Sequence, residues 1–281
     1  MQALERSNPK GPWPEFDVSS GAIPRRSGAR VVEAVISVAD LRKSYKKVRA
    51  VDGVSLEVRG GEAYGLLGPN GSGKSTTLHA LVGIVRPSGG TATISGADSR
   101  SLEAKSLLGF VPDDLGMPET LTGDEFLDFV CSLYGVLDRS RADILTKVLG
   151  LEGALGRLIE EYSHGMKKKL RVVAALVHEP KALVLDEPFG GLDPEAVINL
   201  KRLISSEKKK GTAVFVATHD LLAAQHYCDR LGILSDGAIV AEGTTDQLFE
   251  RFGSDSLEEV FLKASRLLDR SREVETYLQH L

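Results

Sequence analysis

Eight consecutive residues, Gly68-Pro-Asn-Gly-Ser-Gly-Lys-Ser75, constrain this chain more than any other feature. They follow Ala63-Tyr-Gly-Leu-Leu67, an apolar run of the kind that forms a buried strand, and precede a segment whose Leu78, Leu81, Val82 and Val85 suit a helix. Strand, glycine loop and helix in that order aim backbone N–H groups at one point beside a helix N-terminus, which favours an anion. A triphosphate fits: Gly68, Pro69, Asn70, Gly71, Ser72 and Gly73 curl the main chain around the phosphates. Lys74 reaches the β and γ groups and the Ser75 hydroxyl holds Mg²⁺. Thr76, next in the helix, caps it or adds a phosphate contact.

Two further apolar runs, Ala182-Leu-Val-Leu185 and Ala213-Val-Phe-Val216, read as strands buried on both faces of a parallel sheet. Asp186 and Glu187 close the first run, and His219 follows the second. If the strands are parallel, the two carboxylates share an edge with the glycine loop. One is then placed to bind Mg²⁺ through water, the other to orient or deprotonate an attacking water. Elsewhere, Val54, Leu56 and Val58 alternate with polar residues as in a strand with one buried face. Thr122 and Glu125 are spaced as a capping box at the start of a helical stretch from about 118 to 178, with a second helical pattern near Ser140. Asp193-Pro194 suits a helix start, and Lys208 to Gly211 its end. Ser-Asp-Gly between Leu231–Leu234 and Ala238–Val240 predicts a hairpin. Past about 246, Leu257, Val260, Phe261, Ala264, Leu267 and Leu268 form one apolar helical face, expected to pack on the chain's own domain.

With these motifs the chain resembles the nucleotide-binding subunits of ATP-binding cassette (ABC) transporters, over about Tyr45 to His219. The resemblance implies an α/β fold: a P-loop NTPase core with a mostly parallel sheet, an N-terminal antiparallel β subdomain and an inserted α-helical subdomain at about 115–178. It implies ATP and Mg²⁺ as ligands, with Lys74, Glu187 and His219 carrying hydrolysis and Asp186 and Ser75 on the metal. Tyr45 is expected to stack on adenine. Ser163 and Gly165 of Tyr162-Ser-His-Gly-Met166 stand where the family contacts the γ-phosphate held by a second subunit, while His164 and Met166 depart from the commoner Gly and Gln. Asp193 matches a loop between subunits, although capping the next helix also explains it. Asp113, in Gly109-Phe-Val-Pro-Asp113, replaces a Gln that most members use to touch Mg²⁺ and water and to link to the membrane partner. A carboxylate is still a hard metal ligand, but when ionised it donates no hydrogen bond. Asp113 is therefore expected either to tune turnover or to serve only the coupling loop.

The 281 residues leave room for one catalytic domain, read as 34–245, with a flexible extension at 1–33 and a C-terminal helical appendage at 246–281. A net charge of -4 and a pI near 5.9 argue against a nucleic-acid partner. Cys131 and Cys228, in no metal spacing, read as reduced thiols. No apolar run approaches the ~20 residues of a membrane-spanning helix. The expected partners are thus a permease subunit on a separate chain and a second ABC subunit, a homodimer in the simplest case, at the cytoplasmic face of the cell membrane. Phrases such as Leu121-Thr-Gly-Asp-Glu125 and Ser256-Leu-Glu-Glu-Val-Phe261 resemble bacterial exporter subunits. The alternatives are a soluble ABC-type ATPase of translation or DNA repair, and a hydrolytically slow regulatory subunit.

Overall fold

The structure, a computed structural model, describes residues 34–265 and 267; the extension expected at 1–33, residue 266 and the end of the C-terminal appendage at 268–281, Leu268 included, lie outside the described residues. The alternation read around Val54 belongs to a pair of long strands, β1 (Ala34–Tyr45) and β2 (Val48–Arg59), joined by a tight turn. After β3 (Ala63–Leu67) and α1 (Lys74–Leu81), the chain adds β4 (Gly89–Ile94) and β5 (Ala97–Asp98) to that pair. The result is an antiparallel sheet in the order β2-β1-β4-β5.

A larger sheet is built from β3 with β6 (Leu108–Val111), β7 (Ala182–Asp186), β8 (Ala213–Thr218), β9 (Arg230–Ser235) and β10 (Ala238–Gly243). Its order is β10-β9-β3-β8-β7-β6, and every pairing is parallel except that of β10 with β9. Because side chains alternate across a strand, its two faces feed different cores. Val184, Phe215 and Leu66 join Leu78 and Leu81 of α1 and Ile36 and Val54 of the antiparallel sheet. Leu183, Leu185, Val214 and Val216 face the helices α3 (Gly123–Leu133), α4 (Ser140–Val148), α5 (His164–Leu176) and α6 (Pro194–Lys209). α2 (Leu102–Ser106) is a short connector before β6. This is the mixed α/β architecture that the motifs imply.

Several local expectations are met in detail. The Thr122 and Glu125 side chains form a reciprocal capping box on α3. Asp236 and Gly237 both take positive φ, 48° and 79°, as a two-residue hairpin turn requires. The helix after the glycine loop is shorter than its apolar pattern suggests. It ends at Leu81 because Gly83 turns the chain at φ 75°, where an added Cβ would lie 2.6 Å from the Ser99 carbonyl oxygen. The helical stretch near 118–178 is three helices and two 3-10 turns, Glu152–Ala154 and Ile159–Glu161. Left-handed Gly135 and Gly150 interrupt it.

At the C-terminal side, α7 (Leu221–Tyr227), α8 (Thr245–Phe252) and α9 (Leu257–Ala264) pack together on β9 and β10. Leu257 and Val260 are buried there with Leu67, Leu231 and Leu248, so the apolar face read past 246 is covered by the chain's own core. Among the described residues, no helix is long and apolar enough to cross a membrane. We expect Leu248→Ala, which empties a fully buried site, to cost about 2–5 kcal/mol in urea unfolding, whereas Leu137→Ala at a fully exposed position leaves the midpoint unchanged.

Candidate active site

β3 is apolar and buried throughout, and it delivers Gly68 to the edge of the central sheet. The loop that follows needs its glycines. A Cβ on Gly68 would meet the Leu234 carbonyl oxygen at 2.5 Å, and one on Gly73, at φ 105°, would meet the Ala50 carbonyl oxygen at 2.3 Å. The Ser72 N–H donates to the Pro69 carbonyl and closes the turn at 3.2 Å. Lys74 is buried, and its ammonium folds back over the loop to donate to the carbonyls of Gly68 (2.5 Å) and Pro69 (3.3 Å). Burial lowers its pKa against the pull of Glu187 and Asp186. Pro69, Asn70, Gly71, Gly73, Lys74, Ser75 and Thr76, with Ala50 of β2, line a cavity of 180 Å³. No acidic residue occupies the first turn of α1, so its dipole favours an anion there.

The parallel register sets the carboxylates beside this loop. Leu67 lies opposite Thr218, and Asp186 opposite Ala217, so Gly68, Glu187 and His219 leave the sheet at one edge. Asp186 is half-buried and its pKa is raised to about 6, first by desolvation, then by the carboxylates of Asp113 and Glu187, against Lys74 and Lys168. Glu187 has φ 43°, an uncommon conformation for a residue with a side chain. Its surroundings hold it there. The Glu187 N–H donates to the Ala217 carbonyl at 2.9 Å, and one carboxylate oxygen accepts from the Thr218 hydroxyl at 2.8 Å. The other oxygen accepts from the His219 N–H at 3.0 Å and pairs with the exposed His219 ring through Nδ1 at 2.7 Å.

Asp113 leaves β6 towards the same place, but its carboxylate is turned to the Lys168 ammonium of α5, at 3.1 Å. The remaining expected residues form a second group. Ser163 caps α5 by accepting from the Met166 N–H at 3.2 Å. Gly165 lies against the Gly191 carbonyl oxygen, which an added Cβ would meet at 2.8 Å. Asp193 caps α6 through the Ala196 N–H at 2.8 Å and pairs with Lys169 at 2.8 Å, which draws its pKa down. Neither Ser163, Gly165 nor Asp193 lines the cavity at the glycine loop. Tyr45 ends β1, its ring 47% exposed under the Lys43 ammonium. Lys168 and Lys169 escaped the sequence reading because they sit in an all-basic run. The signal was periodic: Lys168, Val172 and Ala175, spaced i, i+4, i+7, are all buried.

The donor set suits Mg²⁺ held jointly with phosphates. Ser75 and Asp186 offer hard oxygens, and a cation would relieve the crowded carboxylate of Asp186. Among the described residues, no group of three or more His, Cys, Asp or Glu forms a self-sufficient metal cage, and a phosphate-bound Mg²⁺ needs only one or two protein ligands.

A glycine loop, two carboxylates and a histidine on one edge of a largely parallel sheet, with an antiparallel sheet and a helical arm beside it, define an ATP-hydrolysing cassette. The chain belongs to the ABC transporter family, whose model matches residues 51–190. It is 33% identical over 253 residues to the linearmycin resistance ATP-binding protein LnrL of Bacillus subtilis, covering 85% of this chain and 81% of that one. A solved ATP-binding subunit of an ABC transporter superposes with a TM-score of 0.77 at 32% identity, over 82% of this chain and 99% of the other. A dimeric bacterial ABC transporter cassette superposes with a TM-score of 0.67 at 25% identity, over 74% and 98%. The chain is thus an ATP-binding, ATP-hydrolysing transporter subunit.

Asp186 also makes a pH-dependent prediction. Its carboxyl titrates near 6 in the fold against 3.8 when free, so its destabilising effect is absent below about pH 4, grows through pH 6 and is full above it. Asp186→Asn should raise the melting temperature of the nucleotide-free chain at pH 8 and leave it unchanged at pH 4, as read by scanning calorimetry. An equal gain at both pH values would assign the effect to packing instead.

Proposed function

We propose that this chain powers an exporter as one of two identical cassettes, paired head to tail around two ATP molecules and driving a separate permease from the cytoplasmic face of the membrane. The observation that carries the paired arrangement is the size of the loop cavity. At 180 Å³ it is smaller than the roughly 300–1,000 Å³ of sites that enclose a small ligand, so further walls must come from elsewhere. The exposed ring of Tyr45 supplies a surface for adenine. A second copy supplies Ser163, Gly165 and the N-terminus of α5, whose free N–H groups suit a γ-phosphate. Asp193, tied to α5 by Lys169, lies between the two copies. The dimeric bacterial cassette supports this geometry.

Within the site, Gly68 to Ser75 and Thr76 hold the phosphates and Lys74 neutralises the β and γ groups. Ser75 and Asp186 hold Mg²⁺, which when bound offsets charge on the phosphates. Glu187 orients the attacking water and accepts its proton, while His219, fixed on the Glu187 carboxylate, faces the γ-phosphate. The cassette proper is read as 34–245, its helical arm as about 115–178, and 246–281 as an appendage.

The permease contact falls on a 360 Å³ groove between β6 and the helical arm, lined by Phe110, Leu115, Met117, Phe126 and Leu133 among others. Leu115 and Leu133 are exposed there. A short apolar helix of a permease loop suits this groove, and Arg171 of α5 reaches the Leu115 carbonyl across it. Export is supported by the resistance role in the name of the Bacillus subtilis relative. Phosphate release from Mg-ATP tests the catalytic assignment: Glu187→Gln should slow it by about 10²-fold or more, and equal rates for wild type and variant would remove Glu187 from the chemistry.

A further inference from the structure

Lys168 is fully buried, and each of its three N–H groups meets one oxygen: Asp113 Oδ1 at 3.1 Å, the Glu187 carbonyl at 2.8 Å and the Gly190 carbonyl at 2.8 Å. Its position is costly without a counter-charge, because a buried ammonium loses its hydration. Among the described residues, Asp113 is its only carboxylate partner. The other two acceptors bracket Pro188 and Phe189, so one side chain pins both ends of the turn that begins at the left-handed Glu187.

We propose that Lys168 and Asp113 act as one neutral unit that positions Glu187, with Lys168 the positioning residue and Asp113 its counter-charge rather than a metal ligand. Two observations converge on this. The Glu187 carboxylate is fixed by Thr218 and His219, its N–H by Ala217 and its carbonyl by Lys168, so Lys168 completes the restraint of a strained residue. Finally, Asp113 stands two residues before Leu115, which lines the apolar groove. A displacement of that segment would draw Asp113 from Lys168 and loosen the Glu187 turn, which links the groove to the site by a single ion pair.

The inference rests on the catalytic reading of Glu187, whose own failure would appear separately as full activity in Glu187→Gln. The test is a double-mutant cycle of Asp113→Asn, Lys168→Gln and the double variant. It reads kcat and KM for ATP, together with the Mg²⁺ concentration giving half-maximal binding of a fluorescent ATP analogue. Each single variant should lower kcat about tenfold with KM within about threefold, and the double variant should be no slower than Lys168→Gln alone, about tenfold rather than about a hundredfold below wild type. Asp113→Asn should leave the Mg²⁺ requirement unchanged, while Lys168→Gln, which frees the carboxylate, should shift it at least about threefold. Additive losses in kcat, or a raised Mg²⁺ requirement in Asp113→Asn, would overturn the proposal. Should Lys168→Gln fold poorly, the Asp113→Asn arm decides alone. A lower kcat at an unchanged Mg²⁺ requirement supports the pair, and an unchanged kcat refutes it.

Discussion

The hydrogen-bonded parallel pairing of β3, β8 and β7 is the constraint on which the rest of the molecule depends. Because Leu67, Thr218 and Asp186 end their strands at one level, three chain segments far apart in sequence turn out of the sheet side by side. The first becomes the glycine loop, the second carries His219 and the third Glu187. A slip of one residue in the β7–β8 pairing would turn Glu187 away from the Thr218 hydroxyl and the His219 N–H, and one in the β3–β8 pairing would shift both from the glycine loop. The apolar runs that look merely like core filling are therefore the ruler for the site.

Onto that frame the chain places an unusual density of charge. Lys74, Lys168, Asp113, Asp186 and Glu187 share a partly desolvated region: burial, reinforced by Asp113 and Glu187, raises the Asp186 pKa, and burial lowers that of Lys74 against the pull of Glu187 and Asp186. Lys168 settles one part of the balance within the protein. The remainder, at Asp186 and at the loop, suits a ligand that brings both negative phosphates and a divalent cation. Stability and binding are linked here: the groups that disfavour the free chain are the ones that Mg-nucleotide would satisfy.

Much of this is legible in the sequence alone. The glycine loop in its strand-and-helix setting, the two buried strands, the capping box at Thr122 and the hairpin at Asp236-Gly237 all rest on short-range rules that tertiary contacts had no reason to override. The length of α1 is not, because the turn at Gly83 depends on the approach of Ser99, nearly one strand pair away. Nor is the role of the Lys167-Lys168-Lys169 run. A basic tripeptide on a helix reads as a solvated face, yet one turn of the helix sends Lys168 into the core to meet Asp113, 55 residues earlier. The substitution that looked anomalous at 113 and the lysine that looked ordinary at 168 make sense only as a pair.

The proposed composite site is complete only with a second copy, and the most direct measurement of that claim is the mass of the particle in solution. Sedimentation velocity of the Glu187→Gln chain should give a dimer with Mg-ATP and a monomer with Mg-ADP. A monomer under both conditions, at nucleotide concentrations that saturate binding, would contradict the composite site.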